Sequence, residues 1–288
     1  MQISRLHSEE SEQAAKSNAA VLTKGKQYGR GTKPGERPHL QMSRKDPWQF
    51  KMPGKQDLMT ESASGRRDVK SFVRRTGRIT PAQGRALVEL WPAYGIDYAA
   101  KLLNLDEIFG RSAKKVLEIG FGNGESLVRA AEEQPEIDFL GVEVHEPGIG
   151  HCLIASRERN LANIRIIKHD AVEVLQHQLE DGVLARINLY FPDPWPKKRH
   201  HKRRLVQASF LQMAAAKLVA AGTLHIATDW ENYAEHIDAL IAQSSEFTLA
   251  ARQVHKNGSP SPERQTTKFE RRGLRAGHNI WDWCLVKK

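Results

Sequence analysis

From residue 114 onward, short apolar blocks alternate with longer stretches whose apolar positions recur every three or four residues. The blocks at 116–120, 139–144, 164–168, 187–191, 222–227 and 281–286 are rich in Val, Ile, Leu and aromatic residues and are bounded by turn formers, which predicts strands. Between them, 125–134, 147–160, 171–179, 205–219 and 232–244 carry the helical period. Apolar strands separated by amphipathic helices predict βαβ units, hence an α/β fold with a mostly parallel sheet and helices on both faces. Ahead of this core, Thr80 stands as an N-cap and Pro81 as the first helical residue. Ala82, Ala86, Leu87 and Leu90 then share a face, which predicts a helix ending near Trp91 and Pro92. Residues 97–103 and 106–109 predict a second short helical stretch leading into the core. Residues 1–70 show neither period and are studded with turn formers and charges, as in Gly29-Arg30-Gly31-Thr32-Lys33-Pro34-Gly35. Such a segment buries too little apolar area to offset chain entropy. It is expected to be a disordered basic extension, with at most a short helix over 9–22, and the folded domain to span 71–288.

Composition adds a partner class. The chain has 288 residues, 40% of them hydrophobic and 27% charged, and its 44 Lys and Arg against 34 Asp and Glu leave a formal charge of +10. That charge is uneven: residues 1–75 hold 16 basic against 8 acidic side chains, and the stretch Lys197 to Arg204 holds six basic and no acidic ones. Clustered cations gain affinity for polyanions by releasing counterions from phosphates, which points to nucleic acid, a solvated face being the alternative. Two cysteines, Cys152 and Cys284, are too few for a disulfide framework or a zinc site, and a reducing cytoplasm is expected. His200 and His201 lie within a cationic run that repels a cation, so no metal is expected. No apolar run reaches the roughly eighteen residues of a membrane span, and residues 1–13 contain three Glu and no signal-like apolar stretch. Neither membrane attachment nor export is expected.

Candidate chemistry begins at Val116-Leu117-Glu118-Ile119-Gly120-Phe121-Gly122-Asn123-Gly124-Glu125, an apolar strand running through three glycines into a helix. Glycines at that place let a ligand sit against the main chain near a helix N-terminus. A dinucleotide fingerprint puts its third glycine three residues after the second, where this chain has Glu125, and the spacing here is G-x-G-x-G with the acid Glu118 two positions ahead. The combination resembles the first motif of class I S-adenosylmethionine-dependent methyltransferases. Glu143, nineteen residues past Gly124, ends the next strand, where a carboxylate accepts hydrogen bonds from ribose hydroxyls in NAD proteins as well. Asp170 ends the third strand; by the same resemblance it meets the adenine amino group, and its plainer role is to cap the following helix.

The fourth strand runs into Pro192-Asp193-Pro194-Trp195-Pro196, whose prolines make a stiff platform, and then directly into Lys197 to Arg204. This segment resembles the bacterial tRNA (guanine-N7-)-methyltransferase family. So do Thr228-Asp229, Thr267-Lys268-Phe269-Glu270-Arg271-Arg272-Gly273, Gly277-His278 and the lead-in Ser71-Phe72-Val73-Arg74-Arg75 with Gly77-Arg78. The match runs over about 70–288 and leaves the N-terminal extension outside it. The resemblance implies a seven-stranded Rossmann-like class I sheet and methyl transfer from S-adenosylmethionine to N7 of the guanine at position 46 in the variable loop of tRNA. It assigns the cofactor to Glu118, Gly120, Gly122, Gly124, Glu143, Asp170 and Asp193, with Asp193 also catalytic. It assigns the substrate to Lys197, Asp229, Thr267, Lys268, Phe269 and Glu270, and RNA contacts to Arg199, His200, His201, Lys202, Arg203 and Arg204. Thr267 to Glu270 is expected as a loop offering Glu270 to a guanine edge, and Trp195 is placed to stack on an extruded base. A monomer is expected, with a homodimer as the alternative. Three rival functions remain: an amino methyltransferase with an N-P-P-aromatic loop, a dinucleotide oxidoreductase, and an RNA-binding module without catalysis.

Overall fold

The computed structural model describes residues 77–255 and 267–288. The expected extension over 1–70, the helix over 9–22 and the lead-in Ser71 to Arg75 lie outside the described residues.

Helix α1 (Pro81–Glu89) starts as its sequence predicts: Thr80 and Gln83 form a reciprocal capping box, the Gln83 N–H donating to Thr80 Oγ1 at 3.3 Å and the Thr80 N–H to Gln83 Oε1 at 2.9 Å. A further turn, α2 (Trp91–Tyr94), carries Pro92 in its first positions. The helix expected over 97–103 is absent. The chain instead enters a two-residue strand, β1 (Gly95–Ile96), and then runs irregularly to α3 (Leu105–Phe109). Asp97 takes the Trp91 indole N–H at 2.9 Å, and Gly95 lies so close under the Trp91 ring that a Cβ there would sit 2.1 Å from it. The chain is thereby pinned in an extended turn where the pattern suggests a helix.

The core alternates as expected: β2 (Lys115–Ile119), α4 (Glu125–Glu133), β3 (Asp138–Val142), α5 (Glu146–Glu158), β4 (Ile164–Ile167), α6 (Ala171–His177) and β5 (Leu184–Tyr190). A 3-10 turn (Lys198–Arg203), α7 (Ala208–Lys217), β6 (Leu218–Thr228), α8 (Glu231–Gln243), β7 (Phe247–His255), α9 (Lys268–Arg275) and β8 (Ile280–Lys287) follow. The sheet order is β1-β4-β3-β2-β5-β6-β8-β7, parallel from β1 to β6, with β8 antiparallel to both β6 and β7. Eight strands stand where seven are expected, because the two residues of β1 add to the β4 edge through Gly95↔Ile166 and Ile96↔Ile167.

Strand alternation sends apolar side chains to both faces. Val116, Phe139, Ile164 and Ile166 pack with Leu127, Ile149 and Leu153 of α4 and α5, while Leu117, Leu140, Ile187 and Leu189 pack with Val174, Phe210, Leu211 and Ile237 of α6, α7 and α8. The helix expected over 205–219 is shorter, and Leu218 already pairs with Leu184. A bulge follows, with Ala221 at φ 57° and no room for a side chain at Gly222, before the register resumes at Arg186↔Thr223. Among the described residues, no helix is long and apolar enough to cross a membrane. Strand order reverses between β2 and β5, and the carboxyl ends of those two strands open the crevice where such sheets bind ligands.

Candidate active site

A cavity of about 350 Å³ occupies that crevice, lined among others by Gly120, Gly122, Glu143, Asp170, Asp193 and Phe269. Its floor is the turn between β2 and α4. Gly120, Gly122 and Gly124 all adopt left-handed backbone, at φ 71°, 61° and 77°. Gly124 is also sterically required: a Cβ there would lie 2.5 Å from Cys152 Sγ on α5. Gly148 answers from the other side, since a Cβ on it would lie 2.1 Å from the Gly122 carbonyl oxygen. Loop and helix therefore meet backbone to backbone, and the turn is pressed into one shape.

Glu143, at the end of β3, grips the same turn. Its Oε2 accepts the Gly122 N–H at 2.8 Å, and its Oε1 accepts the N–H groups of Val144 at 2.6 Å and His145 at 3.0 Å. A carboxylate has about four lone-pair directions, so three backbone donors leave it acceptor capacity for a ligand hydroxyl. Asp170 caps α6, its Oδ1 accepting the Val172 N–H at 2.9 Å, and it also lines the cavity. Glu118 is 4% exposed, accepts the Ser126 hydroxyl at 3.3 Å, and faces a smaller adjoining hollow with Tyr190, Thr267 and Phe269.

Asp193 is exposed at the cavity edge, between Phe191 at φ 54° and Trp195 at φ 46°, two left-handed positions without glycine. The basic turn follows at once. Lys197, Lys198, Arg199 and Lys202 are exposed, while His200 meets the Trp195 ring edge-on at 5.8 Å and the Arg203 guanidinium covers that ring at 4.9 Å. Burial and the charges of Arg199, Arg203, Lys197 and Lys202 push the His200 pKa below the usual histidine range.

A family model described as a putative methyltransferase matches residues 112–283. A tRNA (guanine-N(7)-)-methyltransferase of Alkalilimnicola ehrlichii is 54% identical over 79% of this chain and 96% of its own length. Proteins of the same name from Aeromonas hydrophila and Methylobacillus flagellatus are 51% and 49% identical over 80% and 82% of this chain, and over 97% and 98% of their own lengths. The chain belongs to the tRNA (guanine-N7-)-methyltransferase family.

Within this family member, the remaining motif residues lie on α9 and at the end of β6. Thr267 to Glu270 is the start of a helix and not the expected loop: Thr267 caps α9, Glu270 N–H donating to Thr267 Oγ1 at 3.1 Å and Thr267 N–H to Glu270 Oε2 at 3.3 Å. Glu270 is thus 0% exposed and turned inward, where the loop expectation offers it to a guanine edge. Phe269 points the other way, 52% exposed, against the glycine turn and at the mouth of both hollows. The Lys268 side chain lies outside the described residues. Gly273 lets α9 close on Asp229, since a Cβ there would be 2.8 Å from Asp229 Oδ2, and Asp229 also meets His278 Nδ1 at 3.3 Å. An Arg271–Glu125 ion pair at 2.5 Å ties α9 to α4, and the Arg271 hydrogen bond holds the Glu125 carboxyl below the usual range.

One expectation for the methyltransferase's basic run changes. Arg204, expected at RNA, is 2% exposed and spends its donors inside the protein. His201 is half-buried, its Nε2 3.2 Å from Arg204 Nη2. Sequence reasoning also misses two groups at the cavity. His169 lines it, stacked at 3.5 Å on Tyr98 and paired with Glu173. Gly148 supports the turn, and the run Pro147-Gly148-Ile149-Gly150 at a helix start is the signal that flags it.

Proposed function

We propose that the protein methylates the guanine at position 46 in the variable loop of cytoplasmic tRNA at N7, with Asp193 at the reacting centre and the cations Lys197, Lys198, Arg199, Lys202 and Arg203 on the surrounding phosphates. The observation that carries this assignment is the adjacency of Asp193 at the cavity edge to a turn of exposed Lys and Arg. Held in this cavity, S-adenosylmethionine would supply a sulfonium-activated methyl: the in-plane lone pair of guanine N7 would form the new N–C bond as the C–S bond breaks, the thioether S-adenosylhomocysteine would leave, and the positive charge would pass to the guanine. N7 carries no proton, so this chain needs no general base; its residues act by holding the nucleophile and the methyl carbon in line.

The donor set fits an adenosyl ligand. The glycine turn exposes main chain, Glu143 retains acceptor capacity toward ribose hydroxyls, and Asp170 stands at the cavity wall. Asp193 faces the place where charge develops, and a fixed carboxylate there stabilises the cationic ring. Trp195 carries Arg203 on its indole ring, so the proposed stacking on the extruded base uses the opposite side of that ring.

Incubating the protein with unmodified tRNA and methyl-labelled cofactor, then identifying the labelled nucleoside and its position, tests the proposal. Label at guanine N7 of position 46 is expected. Label on an exocyclic amine, or at another position, refutes it. Asp193→Ala is expected to lower kcat by about two orders of magnitude while tRNA binding stays near normal; unchanged turnover removes Asp193 from the reacting centre.

A further inference from the structure

The prolines stiffen the loop that carries Asp193 but leave it few backbone donors with which to anchor itself to the rest of the fold. Pro192, Pro194 and Pro196 have no N–H to donate. Phe191 and Trp195 adopt left-handed backbone, which side chains with a Cβ disfavour, so the surroundings must impose it. One anchor precedes Asp193: the Phe191 N–H donates to the Ala227 carbonyl at 2.8 Å, extending the β5–β6 ladder by one residue. A second follows it. Arg204 Nε donates to the Pro194 carbonyl at 3.0 Å.

Arg204 is itself held from three sides. Its Nη1 donates to the Asn232 carbonyl at 3.2 Å and its Nη2 to Asn232 Oδ1 at 2.8 Å, with His201 Nε2 also 3.2 Å from Nη2. The guanidinium lies 4.8 Å from the centre of the Tyr233 ring. Tyr233 is wholly buried, and its hydroxyl accepts the Val206 N–H at 3.0 Å. A guanidinium cannot shed its charge, so burying one is unfavourable unless its planar fork is filled, and here carbonyls and a carboxamide fill it. None of these partners is an acid. The arrangement suits a clamp between α8 and the Pro192 to Pro196 loop and leaves the charge no face toward solvent.

We propose that Arg204 is a positioning residue: it clamps the loop bearing Asp193 onto α8 and thereby sets the geometry of methyl transfer, in place of the phosphate contact its position in the basic run suggests. The inference rests on the proposed function, because it gives the clamped loop a reaction to serve.

The test compares the full-length wild type with Arg204→Met, Asn232→Ala, Asn232→Asp and, as a phosphate-contact control, Lys202→Ala. Each is measured for kcat and KM on unmodified tRNA and for the slope of log binding constant against log salt. A lost phosphate contact flattens that slope by about 0.7–0.9. Lys202→Ala is expected to flatten it and to raise KM. Arg204→Met is expected to keep the wild-type slope, to keep KM within about twofold, and to lower kcat tenfold or more, since small displacements at a reacting centre are amplified in rate. If Arg204→Met does not fold, the Asn232 pair decides: Asn232→Ala lowers kcat with the slope unchanged, while Asn232→Asp, which restores an acceptor for the fork, returns it. A merely structural clamp would lower the melting temperature and leave kcat below melting untouched. Wild-type kcat in both Arg204→Met and Asn232→Ala, or a flattened slope in either, overturns the proposal. A wild type that makes no N7-methylguanine sinks the proposed function and this inference together, whereas an active wild type matched by its variants sinks this inference alone.

Discussion

Gly124→Ala is the sharpest single perturbation of the glycine turn proposed to hold the cofactor, because two separate penalties fall on one methyl group. The residue stands at φ 77°, where an L-residue with a Cβ costs roughly 1–2 kcal/mol. The new Cβ would also lie 2.5 Å from Cys152 Sγ, 2.6 Å from its Cβ and 3.3 Å from its Cα. Cys152 is fully buried in α5 between Ile149 and Leu153, both at 0% exposure, so neither side can yield without repacking. Overpacking of that kind costs about 1–3 kcal/mol. Together they predict a loss of about 2–5 kcal/mol, read as a lower denaturant midpoint at unchanged slope, and a weaker calorimetric affinity for S-adenosylhomocysteine. Cys152→Gly separates the two terms. Alone it destabilises, through a lost buried thiol and a glycine inside a helix; combined with Gly124→Ala it removes the contacts at 2.5 and 2.6 Å and leaves the milder one at 3.3 Å. The double variant should therefore be less destabilised than the sum of the singles by about 1–3 kcal/mol. A Gly124→Ala protein with the wild-type midpoint, or a cycle with no coupling, would refute the close-packed turn.

Glu143→Gln replaces an acceptor-only group with a carboxamide that has a single oxygen for three backbone donors, so S-adenosylhomocysteine affinity should fall at least about tenfold by calorimetry. Arg271→Ala removes an exposed ion pair, so the melting temperature should shift by less than the equivalent of about 1 kcal/mol, while cofactor exchange quickens in stopped-flow as α9 and Phe269 loosen. Both His200 and His236 have pKa values pushed below the usual histidine range, first by burial and then, for His236, by Arg204 and His201 against the raising effect of its bond to the Val206 carbonyl. The unfolded chain therefore takes up protons near pH 6.5 that the folded one refuses, so the denaturant midpoint should fall as pH drops below about 6.5. A midpoint that rises over that interval contradicts the assignment.

Short-range signals account for what the sequence makes legible. The Thr80 N-cap, the G-x-G-x-G turn and the apolar strand blocks each act within a few residues, and each is found where the pattern puts it. Elements whose cause is tertiary are not legible. Strand β1 exists because Ile96 finds the β4 edge, and two residues carry no period. Strand β7 is an edge strand whose exposed Thr248 and Leu249 and half-buried Gln253 blur any alternation. The α7–β6 boundary falls inside the run Ala214-Ala215-Ala216-Lys217-Leu218-Val219-Ala220-Ala221, which suits a helix throughout; only pairing to Leu184 ends it. Helix α9 is the instructive miss, since Thr267 and Glu270 have the spacing of a capping box. A motif that carries both a cap and a family resemblance looks like a ligand-binding loop when the resemblance is weighed first.

The basic run shows the same limit in electrostatic form. Six Lys and Arg within eight residues suggest a uniform field, and in sequence Arg203 and Arg204 are equivalent. The fold makes them different kinds of residue: Arg203 lies over the indole of Trp195 beside the exposed lysines, while Arg204 turns inward to the Pro194 carbonyl, Asn232 and the ring of Tyr233. What separates them is the end of the 3-10 turn, where the Arg204 N–H donates to the His201 carbonyl and the chain swings toward α7. Charge counting therefore overstates the number of phosphate contacts to be proposed for this face, and a measured salt slope should be shallower than the basic run implies by at least the one contact that a buried Arg204 is expected to forgo.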